Sequence, residues 1–191
     1  MAAVMEAFEA LTTPPTLYYA AAAVCAGMLF LVRFLLGSPS ASFSISTTFS
    51  GRRPREVFDI LTDFDRAPQL MENCVRMRKV SDGPVGVGTR LEEIRSVSGV
   101  EETVELVVAA WEPPAMYAIY ADTMGIRVQY TYSLEDNGSG GTVVSCLCEV
   151  STTVYLKRSL IPLVLSAMRK EDGDHLDKIV ARLADLERKT K

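Results

Sequence analysis

A single histidine, His175, serves all 191 residues. With one imidazole in the chain, no Ser-His-Asp or Cys-His arrangement stands out from chance. The four cysteines, Cys25, Cys74, Cys146 and Cys148, include no C-x-x-C pair, so neither a zinc ribbon nor a thioredoxin-type motif is written here. Cys146 and Cys148 are two apart in a strand-like segment and point the same way, which makes a bridge between them awkward. Buried thiols in a reducing compartment are the expectation. The chain also lacks a basic stripe: 20 basic side chains stand against 24 acidic ones, for a net charge of −4. Nucleic-acid binding rests on neutralising phosphates, and this balance argues against it. There are no internal repeats and no low-complexity tail. The loop Gly83, Gly86, Gly88 is no dinucleotide cradle, because its spacing is reversed and a strand rather than a helix follows.

What is present begins with apolar side chains, 48% of the total. Residues 17–36 read LYYAAAAVCAGMLFLVRFLL, about the 20 residues that match the hydrocarbon thickness of a bilayer. Tyr18 and Tyr19 stand where an interfacial aromatic belt belongs, and Arg33 is near enough to the end to snorkel. The expectation is a short N-terminal segment, 1–16, followed by one transmembrane helix, 17–36. Arg33, Arg52, Arg53 and Arg55 follow the apolar run while Glu6 and Glu9 precede it. The positive-inside rule then places the C-terminal domain in the cytoplasm and makes the protein a single-pass membrane protein.

Residues 37–42 form a small-residue linker, and 43–191 remain for one independently folding domain, about 150 residues. Alternation predicts a strand over 43–49, and Pro54 ahead of Val57, Phe58 and Leu61 predicts a helix start. A second short helix is expected over 68–74. The period then changes to two, predicting strands over 75–80, 89–97, 101–111, 116–122, 126–134 and 142–156. Turn residues such as Met124-Gly125 and Asn137-Gly138 separate them, so the strands form antiparallel hairpins. Over 157–189 an apolar stripe of helical period includes Leu160, Leu163, Val164 and Ala167, then Leu176, Ile179 and Leu183. Gly173 interrupts it and predicts a bend or short break. A sheet with one dry face needs a cover, and this helix supplies it.

Among candidate reactive groups, Glu171 and His175 have a spacing that can hold a metal. Gly173 between them and the polar surroundings favour a solvated bend, so no metal site is expected. Strand carboxylates belong mostly on the wet face. Glu102 shares parity with Val104, Leu106 and Val108, which makes it the carboxylate to watch.

The order of elements is accompanied by Pro54-Arg55-Glu56-Val57-Phe58-Asp59-Ile60-Leu61 with Thr62 and Asp63, the Gly83 to Arg90 loop, Trp111-Glu112-Pro113-Pro114, and His175-Leu176 through Leu186. On that order and these residues the sequence resembles the helix-grip fold of the START/Bet v 1-like (SRPBCC) superfamily, particularly its polyketide cyclase/dehydrase and lipid transport branch. The resemblance implies an α+β domain, an antiparallel sheet wrapped around a long C-terminal helix, with a ligand cavity between them. The implied lining comprises Leu106, Val108, Tyr117, Ile119, Val128, Tyr130 and Tyr132 from the sheet, Cys146 and Cys148 from the last strand, and Val164 and Met168 from the helix. The tyrosines combine apolar area with one polar tip, suited to placing a head group. The reading is membrane-anchored, non-catalytic binding or transfer of a lipid, isoprenoid or polyketide-like molecule, with no catalytic residue, cofactor or metal. A cyclase or aromatase-like enzyme and a protein-binding adaptor with a filled cavity are the alternatives.

Overall fold

A computed structural model describes residues 15–35, 37–97 and 99–190. The chain divides into two compact units, one ending at Ser38 and one running Pro39–Lys191.

In the first unit a helix, α1 (Pro15–Leu35), starts on a proline, whose fixed φ suits the first helical turn, and runs through a string of alanines. The residues before Pro15 lie outside the described ones. The expected membrane crossing does not hold. Among the described residues no helix is long and apolar enough to cross a membrane. A span needs about 20 residues of high mean hydropathy, and no helix among the described residues meets that requirement. The transmembrane part of the expected fold class, the single-pass location and the cytoplasmic orientation read from the arginines therefore fall together.

The second unit is built on one seven-stranded sheet in the order β1-β7-β6-β5-β4-β3-β2, with every neighbouring pair antiparallel. The strands are β1 (Ser40–Phe49), β2 (Cys74–Lys79), β3 (Arg90–Val97), β4 (Val100–Glu112), β5 (Met116–Thr123), β6 (Ile126–Asp136) and β7 (Thr142–Ser151). β1 begins three residues earlier than its alternation announces, because Ser40, Ala41 and Ser42 pair with Ser151, Val150 and Glu149. Strands β2 to β7 follow one another as a meander. The Met124-Gly125 connection takes φ of 52° and 73°, the left-handed geometry that a two-residue hairpin demands.

Between β1 and β2 lie α2 (Pro54–Leu61), a 3₁₀ turn (Phe64–Arg66) and the single-turn α3 (Ala67–Leu70). Pro54 opens α2, and Glu56 reaches back to accept the Arg53 backbone N–H at 3.1 Å. Val57, Phe58 and Leu61 are its buried face. α3 ends sooner than the expected 68–74 helix because Cys74 is already the first residue of β2.

The C-terminal stripe forms two helices, α4 (Ile161–Asp172) and α5 (His175–Thr190). β7 stops at Ser151 and a 3₁₀ segment (Tyr155–Leu160) leads into α4, where the sequence pattern had carried strand to 156. Gly173 makes the break. A Cβ there would lie 2.3 Å from the Arg169 carbonyl oxygen, so only glycine closes this turn. Leu176, Ile179 and Leu183 on α5 are buried in the main core with Phe58, Tyr117 and Tyr132. α4 covers a smaller cluster of Phe43, Cys148, Val150 and Ile161.

Candidate functional site

Inward-facing side chains of the sheet do not all reach the helices that cover it. A partly open cavity of about 440 Å³ remains between strands β2–β6 and the α4–α5 bend. Its wall is mostly apolar, with Met77, Val104, Leu106, Ile119, Ala121, Val128 and Met168 supplying much of it. That volume lies in the range typical of small-molecule sites.

One end of the cavity is polar, and strand register explains why. Leu91 on β3 is fully buried and faces inward. Period two then sends Glu93 and Arg95 inward as well. Opposite them on β4 stand Val104 and Glu102, and on β2 Met77 and Cys74. Glu93 is only 7% exposed. Burial pushes its carboxyl pKa up, and the nearby Asp172 and Glu171 charges add to this, while Arg95 and a hydrogen bond from the Cys74 thiol work against it. The Cys74 thiol is itself pushed up to about 12, chiefly by burial and then by the Glu93 charge.

Arg95 turns toward the helices. Its Nη2 donates to Glu171 Oε1 at 3.2 Å and to Asp172 Oδ1 at 3.5 Å, while its Nε is buried without a partner. Asn73 Nδ2 also donates to Glu171 Oε1, at 3.3 Å. The Tyr130 hydroxyl donates to Asp172 Oδ2. Burial raises the Tyr130 pKa, and the Asp172 charge raises it further, so the phenol stays protonated and remains a donor. At the start of α5, His175 Nδ1 lies 2.6 Å from the Asp172 carbonyl oxygen. A carbonyl only accepts, so Nδ1 carries a proton; in the neutral ring Nε2 then accepts the Tyr132 hydroxyl at 3.1 Å. These contacts lock the α4–α5 bend against β3 and β6.

The expected lining residues separate into two groups. Leu106, Ile119, Val128, Tyr130, Tyr132 and Met168 border the cavity. Val108, Tyr117 and Cys146 are instead packed in the main core, with Tyr117 stacked on Tyr132 at 4.6 Å between ring centroids. Cys148 belongs to the smaller cluster, and Val164 packs against it. All three sheet cysteines that are buried are free thiols, and burial holds Cys146 at about 12 and Cys148 at about 11, so none is a thiolate nucleophile near neutral pH. Glu102 does line the cavity, but at its exposed rim. His175, read from sequence as part of a solvated bend, is a wall residue. The sequence reading puts Glu93 with the strand carboxylates of the wet face and leaves Arg95 unmarked, whereas the structure turns both to the cavity. The signal was there in Leu91, whose parity they share. Ile94 at the opposite parity hid it. Among the described residues no group of three or more His, Cys, Asp or Glu side chains is arranged to hold a metal ion.

With this geometry in view, a family profile for polyketide cyclase / dehydrase and lipid transport matches residues 40–184. The chain belongs to that family. Solved structures of the wider Bet v 1/START superfamily share its fold. Ara h 8.0201 is 18% identical with a TM-score of 0.61, covering 76% of this chain and 99% of its own. A START superfamily protein from Mycobacterium smegmatis is 13% identical with a TM-score of 0.56, covering 80% and 99%. The Zhui aromatase/cyclase from a Streptomyces species is 10% identical with a TM-score of 0.61, covering 80% and 96%. No curated protein sequence matches the chain. At such identities these structures speak for the fold of this family member and not for its ligand.

Proposed function

We propose that the domain binds an apolar molecule non-catalytically between its sheet and the α4–α5 pair. The observation that carries this reading is the 440 Å³ cavity itself, apolar along most of its wall and polar at one end. An apolar ligand gains by leaving water along Leu106, Ile119 and Val128, and convergent polar groups at one end fix its orientation. Tyr130 and Tyr132 stand at the junction of the two regions, with their rings on the apolar side and their hydroxyls in the polar network. Family membership supports the same class of ligand, as lipid transport and polyketide chemistry both handle apolar molecules.

A second reading, a cyclase or aromatase-like enzyme on an apolar substrate, draws on one specific feature. The Tyr132–His175 pair places a hydroxyl and an imidazole together in the cavity wall, a pairing able to move a proton. Native mass spectrometry of the full chain, with organic extraction of whatever it carries, tests both. A reproducible apolar adduct recovered unchanged is the expected result. An adduct converted on incubation moves the assignment to the enzyme. A protein that is empty and rejects a panel of lipids and polyketide-like compounds overturns both and leaves a protein-binding role.

A further inference from the structure

The link from β7 into α4 presents apolar side chains to solvent beside the cavity. Leu156 and Leu163 are 70% and 69% exposed, and Tyr155 and Leu160 between them are exposed as well. The β5–β6 hairpin tip adds Met124, 84% exposed. The tip is tied to the link, because Lys157 Nζ donates to the Met124 carbonyl oxygen and Thr152 Oγ1 donates to that of Gly125 at 2.6 Å. This surface adjoins the cavity mouth: Thr123, next to Met124, and Ala167, one turn beyond Leu163, are exposed residues of the cavity wall. Single exposed apolar residues are ordinary on any protein, whereas a group tied together on one surface marks a place where something docks.

Charge narrows what that something is. The chain is acidic overall, yet residues 150–170 contain no Asp or Glu and carry Lys157, Arg158, Arg169 and Lys170. Among the described residues none of these four cations has an ion-pair partner. Lys157 gives its hydrogen bond to a backbone carbonyl, and the Arg158 guanidinium lies over the Tyr155 ring at 4.5 Å, so both keep their charge at the patch. An acidic protein surface would meet the cations and leave Leu156, Leu163 and Met124 without a dry seat. A bilayer interface supplies both, negative head groups above and acyl carbon below, and a tyrosine suits the boundary between them. We infer that this face docks on a lipid surface bearing negative charge, with the leucines and Met124 entering the head-group boundary and Lys157 and Arg158 at the phosphates. The contact is peripheral and crosses nothing. Together with the ligand-binding reading it lets an apolar molecule pass between bilayer and cavity without entering water, but the docking itself does not depend on that reading.

The test is flotation of the full chain with vesicles of phosphatidylcholine alone and of phosphatidylcholine with about 30% phosphatidylserine. Binding is expected on the anionic vesicles, is weak on the neutral ones and falls as salt rises. Lys157→Gln combined with Arg158→Gln weakens binding to the anionic vesicles about thirtyfold, the effect of two basic side chains at such a surface. Both of those side chains also hold local contacts, so Leu156→Ser and Leu163→Ser, at exposed positions where folding is not at issue, serve as the second pair. Each lowers the affinity about tenfold. Leu156→Trp reports insertion directly, its emission moving to the blue on anionic vesicles against the background of Trp111, which is packed on Phe58. Equal binding to both vesicles, or binding to neither, overturns the inference. Binding that the leucine variants leave unchanged places the attachment elsewhere in the chain and overturns it too. A protein that yields no apolar molecule on extraction but docks on anionic vesicles has lost the ligand-binding reading and kept this one, and a protein that carries a ligand but ignores the vesicles has done the reverse.

Discussion

The two ends of the sheet use their inward face in different ways. On β7 the inward residues Thr142, Val144, Cys146, Cys148 and Val150 are all buried, and none is charged. They meet Phe43, Ile45, Tyr130, Tyr132 and Leu134 of the neighbouring strands and close into core. On β3 the inward residues are Leu91, Glu93 and Arg95. The first packs; the other two end in charges that no apolar neighbour can cover. Where the inward face carries no charge the helices dock directly on it. Where it is charged, they are held off by hydrogen bonds and ion pairs through Asn73, Tyr130, Glu171 and Asp172, and space is left between. A buried polar group needs partners at fixed distances, while an apolar one needs only contact. The cavity is the consequence of that difference.

The largest effect expected from breaking the comparison is on the packed side. Tyr117 is 1% exposed, stacks on Tyr132 and meets Phe58 edge-on at 5.8 Å. Tyr117→Ala removes a full aromatic from dry core and should cost about 3–5 kcal/mol of stability, read from denaturant midpoints. A loss below about 1 kcal/mol would mean that the two ends are not distinguished by packing as described.

On the polar side the decisive variable is pH. Glu93 has a raised pKa in the folded chain, so folding favours its protonated form. Its contribution is fully present below the unfolded carboxyl pKa and is lost as pH rises through the folded value. The groups facing it are Arg95, Cys74, Asp172 and Glu171. Glu93→Gln lacks that loss. Its melting temperature relative to the natural protein should therefore climb between pH 4 and pH 8, and a difference that stays flat across this window contradicts the assignment. At the junction of the two regions, Tyr132→Phe removes the hydroxyl from His175 Nε2 while keeping the stacked ring. About 1 kcal/mol of stability should go with it, and the His175 imidazole resonances should shift in NMR spectra.

Much of the architecture was legible in the linear pattern because each element announces itself locally. The period-two run of Ile126, Val128, Tyr130, Tyr132 and Leu134 is strand β6, and Gly173 divides the C-terminal helical stripe. Leu106, Ile119, Val128 and Met168, among the lining residues that the family resemblance implies, border the cavity. Val108, Tyr117 and Cys146 satisfy the identical parity and are core, since alternation tells which face a side chain takes and not how far away the covering helix lies. For α1 the run reads by length as a span, but no helix among the described residues is long and apolar enough to cross a membrane.

What the sequence determined by itself is thus the set of strands and helices, their antiparallel order and the presence of one dry face, for these follow from periodicity and turn chemistry within a few residues. Tertiary structure alone decided that Glu171 and Asp172 come from about 76 residues further along to meet Arg95, and that His175 finds Tyr132. Such pairings depend on register between strands and on the path of the chain between helices. A shift of one residue would reverse every one of them, and no local pattern records it.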